Sequence, residues 1–156
     1  MIDPTVRRAG PGDVGPLRIL EAEARAALID ARGGARWLDE HPLVGAGWPD
    51  AVAERHVFVA VLETGDDGPL DVGYLLADID GPLARVDQVY ITPDARELGF
   101  GDALLEAFTA AAVEAGARLL EGQALPGDRD MKNLYERAGI TARLITVSRR
   151  IDQHGS

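Results

Sequence analysis

Residues Ile91 to Phe108 read ITPDARELGFGDALLEAF, and the rest of the chain is understood from this stretch outward. An apolar strand, LARVDQVYI over Leu83–Ile91, enters the turn Arg96-Glu97-Leu98-Gly99-Phe100-Gly101 and leaves as a helix predicted over Asp102–Ala115. Leu104, Leu105, Phe108, Ala111 and Ala112 fall on its inner face, Glu106 and Glu114 on its outer face. Gly116 supplies a stop, and ARLLEGQAL (Ala117–Leu125) reads as the next strand. Strand, helix, strand is a β-α-β crossover. A helix N-terminus offers unpaired N–H groups and the positive end of a dipole, so this turn suits an anion. Gly99 and Gly101 let the backbone approach a bound group closely, and Arg96 adds a cation able to grip a phosphate in two places. The plainer reading is a turn that needs its glycines only to fold. A nucleoside-triphosphate P-loop is excluded because no Gly-Lys-Ser/Thr follows, and the G-x-G-x-x-G spacing of dinucleotide folds is absent.

Composition narrows the class. A chain of 156 residues, 46% hydrophobic and 27% charged, fits one globular domain. No apolar run reaches a membrane span, and the start, MIDPTVRRAGPGD, has no signal core, so a cytoplasmic protein is expected. Cysteine is absent, which removes disulfides, thiol nucleophiles and thiolate metal sites. His41, His56 and His154 are scattered and form no metal-ligand pattern. The formal net charge of −10 argues against nucleic acid and anionic lipid as partners. It suits a cationic small molecule or basic peptide, or serves solubility alone.

The remaining elements follow from pattern. Thr5–Ala9 is a short strand. A helix capped by Asp13 buries Leu17, Leu20, Ala24, Ala27 and Leu28 and ends at Gly33-Gly34. A less regular segment over Ala35–Pro49 carries Trp37, His41 and Trp48. His56–Leu62, Asp71–Asp80 and Leu83–Ile91 form an antiparallel meander, with Val86 and Tyr90 on one face and Val89 and Ile91 on the other. After the crossover, Met131, Leu134, Tyr135 and Ala138 mark a second helix closed by Gly139, and Ile140–Ile151 (ITARLITVSRRI) is a final strand. The expectation is a single α/β domain over 1–151 with a mixed, largely antiparallel sheet, flanking helices and a central β-α-β crossover, followed by a polar tail over 152–156.

Two motifs at matching separation carry a resemblance. Arg96-x-x-Gly99-x-Gly101, entered from Ile91-Thr92-Pro93, resembles motif A of the GCN5-related N-acetyltransferases (GNAT). Asn133-Leu134-Tyr135-Glu136-Arg137-Ala138-Gly139-Ile140 is similar to that family's later tyrosine-containing segment. The resemblance implies acetyl-CoA as co-substrate, wedged where the strands Leu83–Ile91 and Ala117–Leu125 part. It implies that the backbone of Val89, Tyr90 and Ile91 pairs with the pantetheine arm and orients the thioester. The backbone N–H groups of Glu97, Leu98, Gly99, Phe100, Gly101, Asp102 and Ala103 would hold the pyrophosphate, with Arg96 beside them. Tyr135 would protonate the departing thiolate, a role a phenol fills because it stays protonated at neutral pH; its plainer role is core packing. Asp87 stands about where the family places a base, and reads equally as an exposed strand aspartate.

The sequence departs from the family pattern at several points. Glu97 and Leu98 replace the usual glycine and basic residue, which puts a carboxylate beside the cradle. Asp128 stands where an asparagine commonly meets pantetheine, and Asn133 is displaced from it, while Lys132 and Arg137 remain within range of the CoA phosphates. One strand follows the last helix where relatives have a longer hairpin, so the acceptor cleft is either open or completed by a second subunit of a homodimer. Trp37 and Trp48, with Asp39-Glu40 between them, suit a cationic amine through cation–π contact, or pack a loop. The resulting expectation is transfer of acetyl to a primary amine of a small molecule or peptide in a ternary complex. The alternative is a non-catalytic acyl-CoA sensor or interaction module on the same fold.

Overall fold

The computed structural model describes residues 4–152. His154 and the rest of the tail from Gln153 lie outside them. Five strands form one sheet in the order β1-β2-β3-β4-β5: β1 Thr5–Arg8, β2 His56–Glu63, β3 Pro69–Asp80, β4 Leu83–Ile91 and β5 Leu119–Glu121. The first four pair antiparallel, and β5 runs parallel to β4. Helices α1 (Val14–Leu28), α2 (Gly34–Glu40) and α3 (Trp48–Glu54) precede the meander, α4 (Phe100–Glu114) makes the crossover, and α5 (Arg129–Arg137) follows β5.

Helices cover both faces of the sheet, which is why β2 is apolar without alternation: Val57 to Val61 are all buried. Phe58, Ala60, Val72, Leu75 and Ala77 pack with Leu104, Leu105 and Phe108 of α4. Val57, Val59, Val61, Tyr74 and Leu76 pack on the other side with Leu17, Leu20 and Trp48. Each fully buried leucine or phenylalanine in these layers contributes about 1.5–3 kcal/mol.

Two bulges break the period of two. Ala60 pairs with Gly73 but Val61 with Asp71, leaving Val72 extra; Leu76 pairs with Gln88 but Ala77 with Val86, leaving Asp87 extra. Each extra residue flips the faces beyond it. Val86 therefore shares the α4 face with Val89 and Ile91, while Tyr90 turns to the α1 face, so the expected pairing of Val86 with Tyr90 does not hold.

Other expectations are corrected. The first helix ends at Leu28, and Gly34 opens α2 instead, where an added Cβ would fall 1.9 Å from the Leu28 carbonyl oxygen. The strand expected over Ala117–Leu125 is only three residues long, because its later part diverges from β4. Ile140–Ile151 forms no strand in the single chain. Asp13 precedes α1 but caps nothing in it. Its carboxylate receives Arg7 Nη1 and Nη2 at 2.7 and 2.9 Å and the Gly10 N–H at 2.8 Å.

Arg7 also approaches Asp71 at 3.7 Å, so one guanidinium serves two carboxyls. Hydrogen bonds from Arg7 hold Asp13 down at about 2, while burial and the Asp13 charge push Asp71 up to about 6. A carboxyl raised on folding stabilises below its unfolded value and loses that contribution as pH rises through the folded one. Asp71→Asn is expected to raise the pH 7 stability by about 1 kcal/mol after solvent screening, with the gain vanishing below about pH 4. Urea melts across pH 4–8 check this; parallel curves for the two proteins would refute it.

Glu21 of α1 is fully buried. It receives the N–H groups of Val44 and Gly45 at 2.8 and 3.0 Å and the Trp48 indole N–H at 3.1 Å. The loop between α2 and α3 is thereby fastened to α1. Glu21→Ala leaves three donors without an acceptor and is expected to cost about 3 kcal/mol in chemical denaturation. A loss below 1 kcal/mol would show that water replaces the carboxylate.

Candidate functional site

The parallel pair β4–β5 holds for only three residues, Leu83–Arg85 against Leu119–Glu121. Beyond Arg85, β4 continues to Ile91 with its β5-side edge unpaired, and a cavity of about 920 Å³ opens there. Its walls come from both faces: Ala24, Arg25 and Leu28 of α1, Val89, Tyr90 and Ile91 of β4, Gln123 to Leu125 after β5, and Met131, Asn133 and Leu134 of α5. The cleft thus passes through the sheet. A free strand edge along one wall suits an extended ligand with amide groups.

The glycine turn forms one end. Gly99 sits at φ 88°, a left-handed conformation, directly before α4. The next residues, Phe100, Gly101 and Asp102, begin the helix and have no intrahelical acceptor for their N–H groups. Ala103, expected to be a donor, gives its N–H to the Gly99 carbonyl at 3.0 Å and is already satisfied. Gly101 faces α5, where an added Cβ would meet the Leu134 methyls at 3.5 Å. Glu97 also takes a left-handed φ, 66°, at a cost of about 1 kcal/mol for a residue with a Cβ. Arg96, Glu97, Gly99, Gly101 and Asp102 line the cavity, whereas Leu98 packs onto the α4 core. Arg96 Nε is tied to the Ile91 carbonyl at 3.0 Å, and Arg137 of α5 pairs with Asp102 at 3.0 Å, so two exposed guanidinium groups border the turn. Asp128 caps α5 through the Met131 N–H at 3.0 Å, and Lys132 donates to the Pro126 carbonyl at 2.7 Å. These residues fit an extended chain ending in phosphates: free edge, small-residue turn and flanking cations occur in that order along the cavity.

Tyr135 is buried on α5. Its hydroxyl lies against Gly122, the first residue after β5, where a Cβ would fall 2.2 Å away. Only glycine there leaves room for the phenol at the point where the strands part. Burial, then the Asp128 charge, pushes the phenol up to about 12, so it holds its proton throughout the neutral range.

At the α1 side of the cleft the bulge presents Asp87, half-buried and lining the cavity. Arg55 Nη2 donates to its Oδ2 at 2.9 Å while also binding Asp78. His41 Nε2 lies 3.5 Å from its Oδ1. The His41 ring stacks on Trp37 with centroids 4.0 Å apart and its Nδ1 is 2.8 Å from the Trp37 carbonyl. Trp37 lines the cavity; Trp48 does not. Trp48 is fully buried, with its N–H on Glu21 and its ring edge against Tyr74. It belongs to the core and fastens the loop rather than offering a face to a ligand. Arg25 closes the group by donating to the His41 carbonyl at 2.6 Å.

Arg55, His41 and Glu21 were not legible as site residues in the sequence. His41 follows Trp37 by four positions, one helical turn, which is a usable signal once Ala35–Pro49 is known to begin with a helix. The contacts of Arg55 and Glu21 span 32 and up to 27 residues and leave no local trace. His56 starts β2 away from the cavity walls, its imidazole shifted down by burial and then by Arg8. Among the described residues no group of three or more histidine, aspartate or glutamate side chains could hold a metal, and no helix is long and apolar enough to cross a membrane.

Residues 53–139 match the model of the acetyltransferase (GNAT) domain. No curated protein sequence matches significantly. Among solved structures, the chain is similar to the aminoglycoside N-acetyltransferase AAC(6')-Iy in complex with a CoA-linked bisubstrate analogue, with a TM-score of 0.69 at 18% identity over 96% of this chain and 99% of that one. An aminoglycoside acetyltransferase from an uncultured soil metagenomic sample, in complex with sisomicin, gives 0.68 at 18% over 94% of each chain. A putative acetyl transferase from Pyrococcus furiosus gives 0.67 at 18%, over 96% of this chain and all of the other. The family match spans more than half the chain and includes the strand, turn and helices that build the cleft: the chain belongs to the GNAT acetyltransferase family and takes acetyl-CoA as its co-substrate.

Proposed function

We propose that the protein transfers the acetyl group of acetyl-CoA to a primary amine of a cationic small molecule, with both substrates bound at once. The observation that carries this reading is the continuity of one cleft, from the glycine turn past the free β4 edge to Asp87 and Trp37. The edge of Val89, Tyr90 and Ile91 holds the pantetheine arm as an added strand would. N–H groups from Glu97 to Asp102 receive the pyrophosphate, Arg96 and Arg137 neutralise it, and Asn133 borders the arm. The amine nitrogen bonds to the acetyl carbon as the carbon–sulfur bond breaks. Asp87 attracts the ammonium and takes its proton through water, while Arg55 and His41 keep the carboxylate aimed at the cleft. Tyr135 gives its proton to the departing thiolate, which only a neutral phenol can do.

Trp37 offers its face to a cationic acceptor, and the chain's net charge of −10 draws polycations toward it while disfavouring nucleic acid. The neighbours' aminoglycoside ligands support a polyamine of that type as the acceptor.

Thiol release with a panel of aminoglycosides and simple amines tests the reaction. Saturable acetyl-CoA binding with no thiol released by any amine would assign the fold to a sensor. Tyr135→Phe is expected to lower kcat about 100-fold without changing the acetyl-CoA Kd, and an unchanged kcat would remove the phenol from the reaction. Asp87→Asn is expected to reduce kcat/KM for the amine by about 10- to 100-fold, again with the acetyl-CoA Kd intact. A parallel loss of acetyl-CoA binding would mean that Asp87 supports the bulge instead.

A further inference from the structure

We infer that Gln88 selects the acceptor: its side-chain amide donates to a hydroxyl oxygen carried next to the reacting amine, so that the substrate is an amino alcohol rather than a plain amine. The inference rests on the acetyl transfer proposed above. Gln88 lies directly between Asp87, which faces the ammonium in that reading, and Val89–Ile91, whose edge holds the thioester arm in it. The bulge at Asp87 sets the direction of its side chain. Val86 packs on α4, and without an extra residue Gln88 would follow it into that core. Instead Gln88 stands opposite Leu76, whose side chain belongs to the α1 layer, and diagonal to Tyr74 of the same layer. Gln88 and Tyr74 both line the cleft.

Gln88 is only 8% exposed, and a primary amide at that depth needs partners for its donors. The Tyr74 hydroxyl donates to Gln88 Oε1 at 2.7 Å. Tyr74 is fully buried, and burial, then the Glu21 and Asp87 charges, push its phenol up, so it keeps the proton it donates. The opposite orientation of the amide, nitrogen toward Tyr74, would leave that proton without an acceptor among the described residues. The amide oxygen is therefore engaged, and Nε2 is the end left over. Among the described residues nothing accepts from Nε2, and no fully enclosed side-chain nitrogen or oxygen lacks a partner, so this atom is open to the cleft.

Its chemistry selects the ligand. Uncharged N–H donors suit an oxygen, and the neighbouring Asp87 carboxylate disfavours an anionic one. Arg25, a cation in the same wall, is committed to the His41 and Leu38 carbonyls at 2.6 and 3.4 Å instead of a ligand carboxylate. A hydroxyl beside the amine satisfies both neighbours at once, with the ammonium at Asp87 and the oxygen at Gln88. A plain amine leaves the amide donors facing carbon, and a site built around such donors rejects a ligand that lacks their partner.

Two diamines that differ in one group provide the test: diaminopropanol, with a hydroxyl on its central carbon, and diaminopropane, without it. Each is titrated calorimetrically into the protein saturated with CoA, so that the readout does not depend on turnover. The parent protein is expected to bind diaminopropanol about 10- to 100-fold more tightly than diaminopropane, and Gln88→Leu to bind the two within about 3-fold of each other. Gln88→Leu leaves the Tyr74 proton without an acceptor, so Tyr74→Phe/Gln88→Leu serves as a second variant. It replaces both partners by apolar groups, which stability tolerates better, and the same loss of preference is expected. Equal affinity of the parent for the two diamines, or no measurable binding of either, overturns the role of Gln88, as does a preference that survives in both variants. Thiol release from acetyl-CoA separates this from the reaction itself. A hydroxyl preference in binding with no thiol released by either diamine upholds Gln88 as a recognition residue and refutes the transfer instead.

Discussion

Strand β4 has a parallel partner for three residues and none for the next six, and the rest of the molecule is arranged around that loss. Unpaired strand edges inside a protein are costly unless something else bonds to them. Here the parting is maintained from both sides. Tyr135 occupies the space beside Gly122, which keeps the chain after β5 away from β4. On the opposite wall, α1 covers the sheet through Leu17 and Leu20 and leaves its later turns to line the opening. The cleft is therefore a consequence of packing around the sheet, and among the described residues its interior edge is unpaired beyond Arg85.

The bulge at Asp87 has a second effect at the same place. By inserting one residue it reverses the faces of β4, so that the carboxylate meets Arg55 and His41 instead of the α4 core. Arg55 reaches it from the end of α3, and His41 from the end of α2. Both helices depend on the loop that Glu21 anchors, so a buried carboxylate in α1 and an accessible one in β4 belong to one connected arrangement. Trp48 contributes to this from the core, whereas Trp37 contributes from the cleft.

Electrostatically the two ends of the cleft differ. The end at the glycine turn combines free helix N–H groups with Arg96 and Arg137, yet includes Glu97 and Asp102. Arg137 engages Asp102 directly, which offsets one carboxylate. Glu97 holds a strained backbone conformation that glycine would adopt freely, so the turn keeps its shape with a charged residue in place of a small one. At the other end Asp87 lines the cleft, held by Arg55 and close to His41.

Local pattern was enough to read the meander, β4 to the residue, the glycine turn, α4 and α5, and with them the places of Asp87 on β4 and Tyr135 on α5. Those features depend on periodicity, helix ends and turn residues, all encoded within about ten neighbours. The sequence did not reveal the two bulges, because an extra residue in a strand leaves the composition of that strand unchanged. Nor did it reveal that Trp48 is interior, that Arg55 and His41 converge on Asp87, or that β5 stops after three residues. Ile140–Ile151 has the pattern of a strand, and pattern alone cannot say whether a strand finds an edge. Pairing, face and burial are set by residues far apart in the chain, so only the tertiary structure decided them.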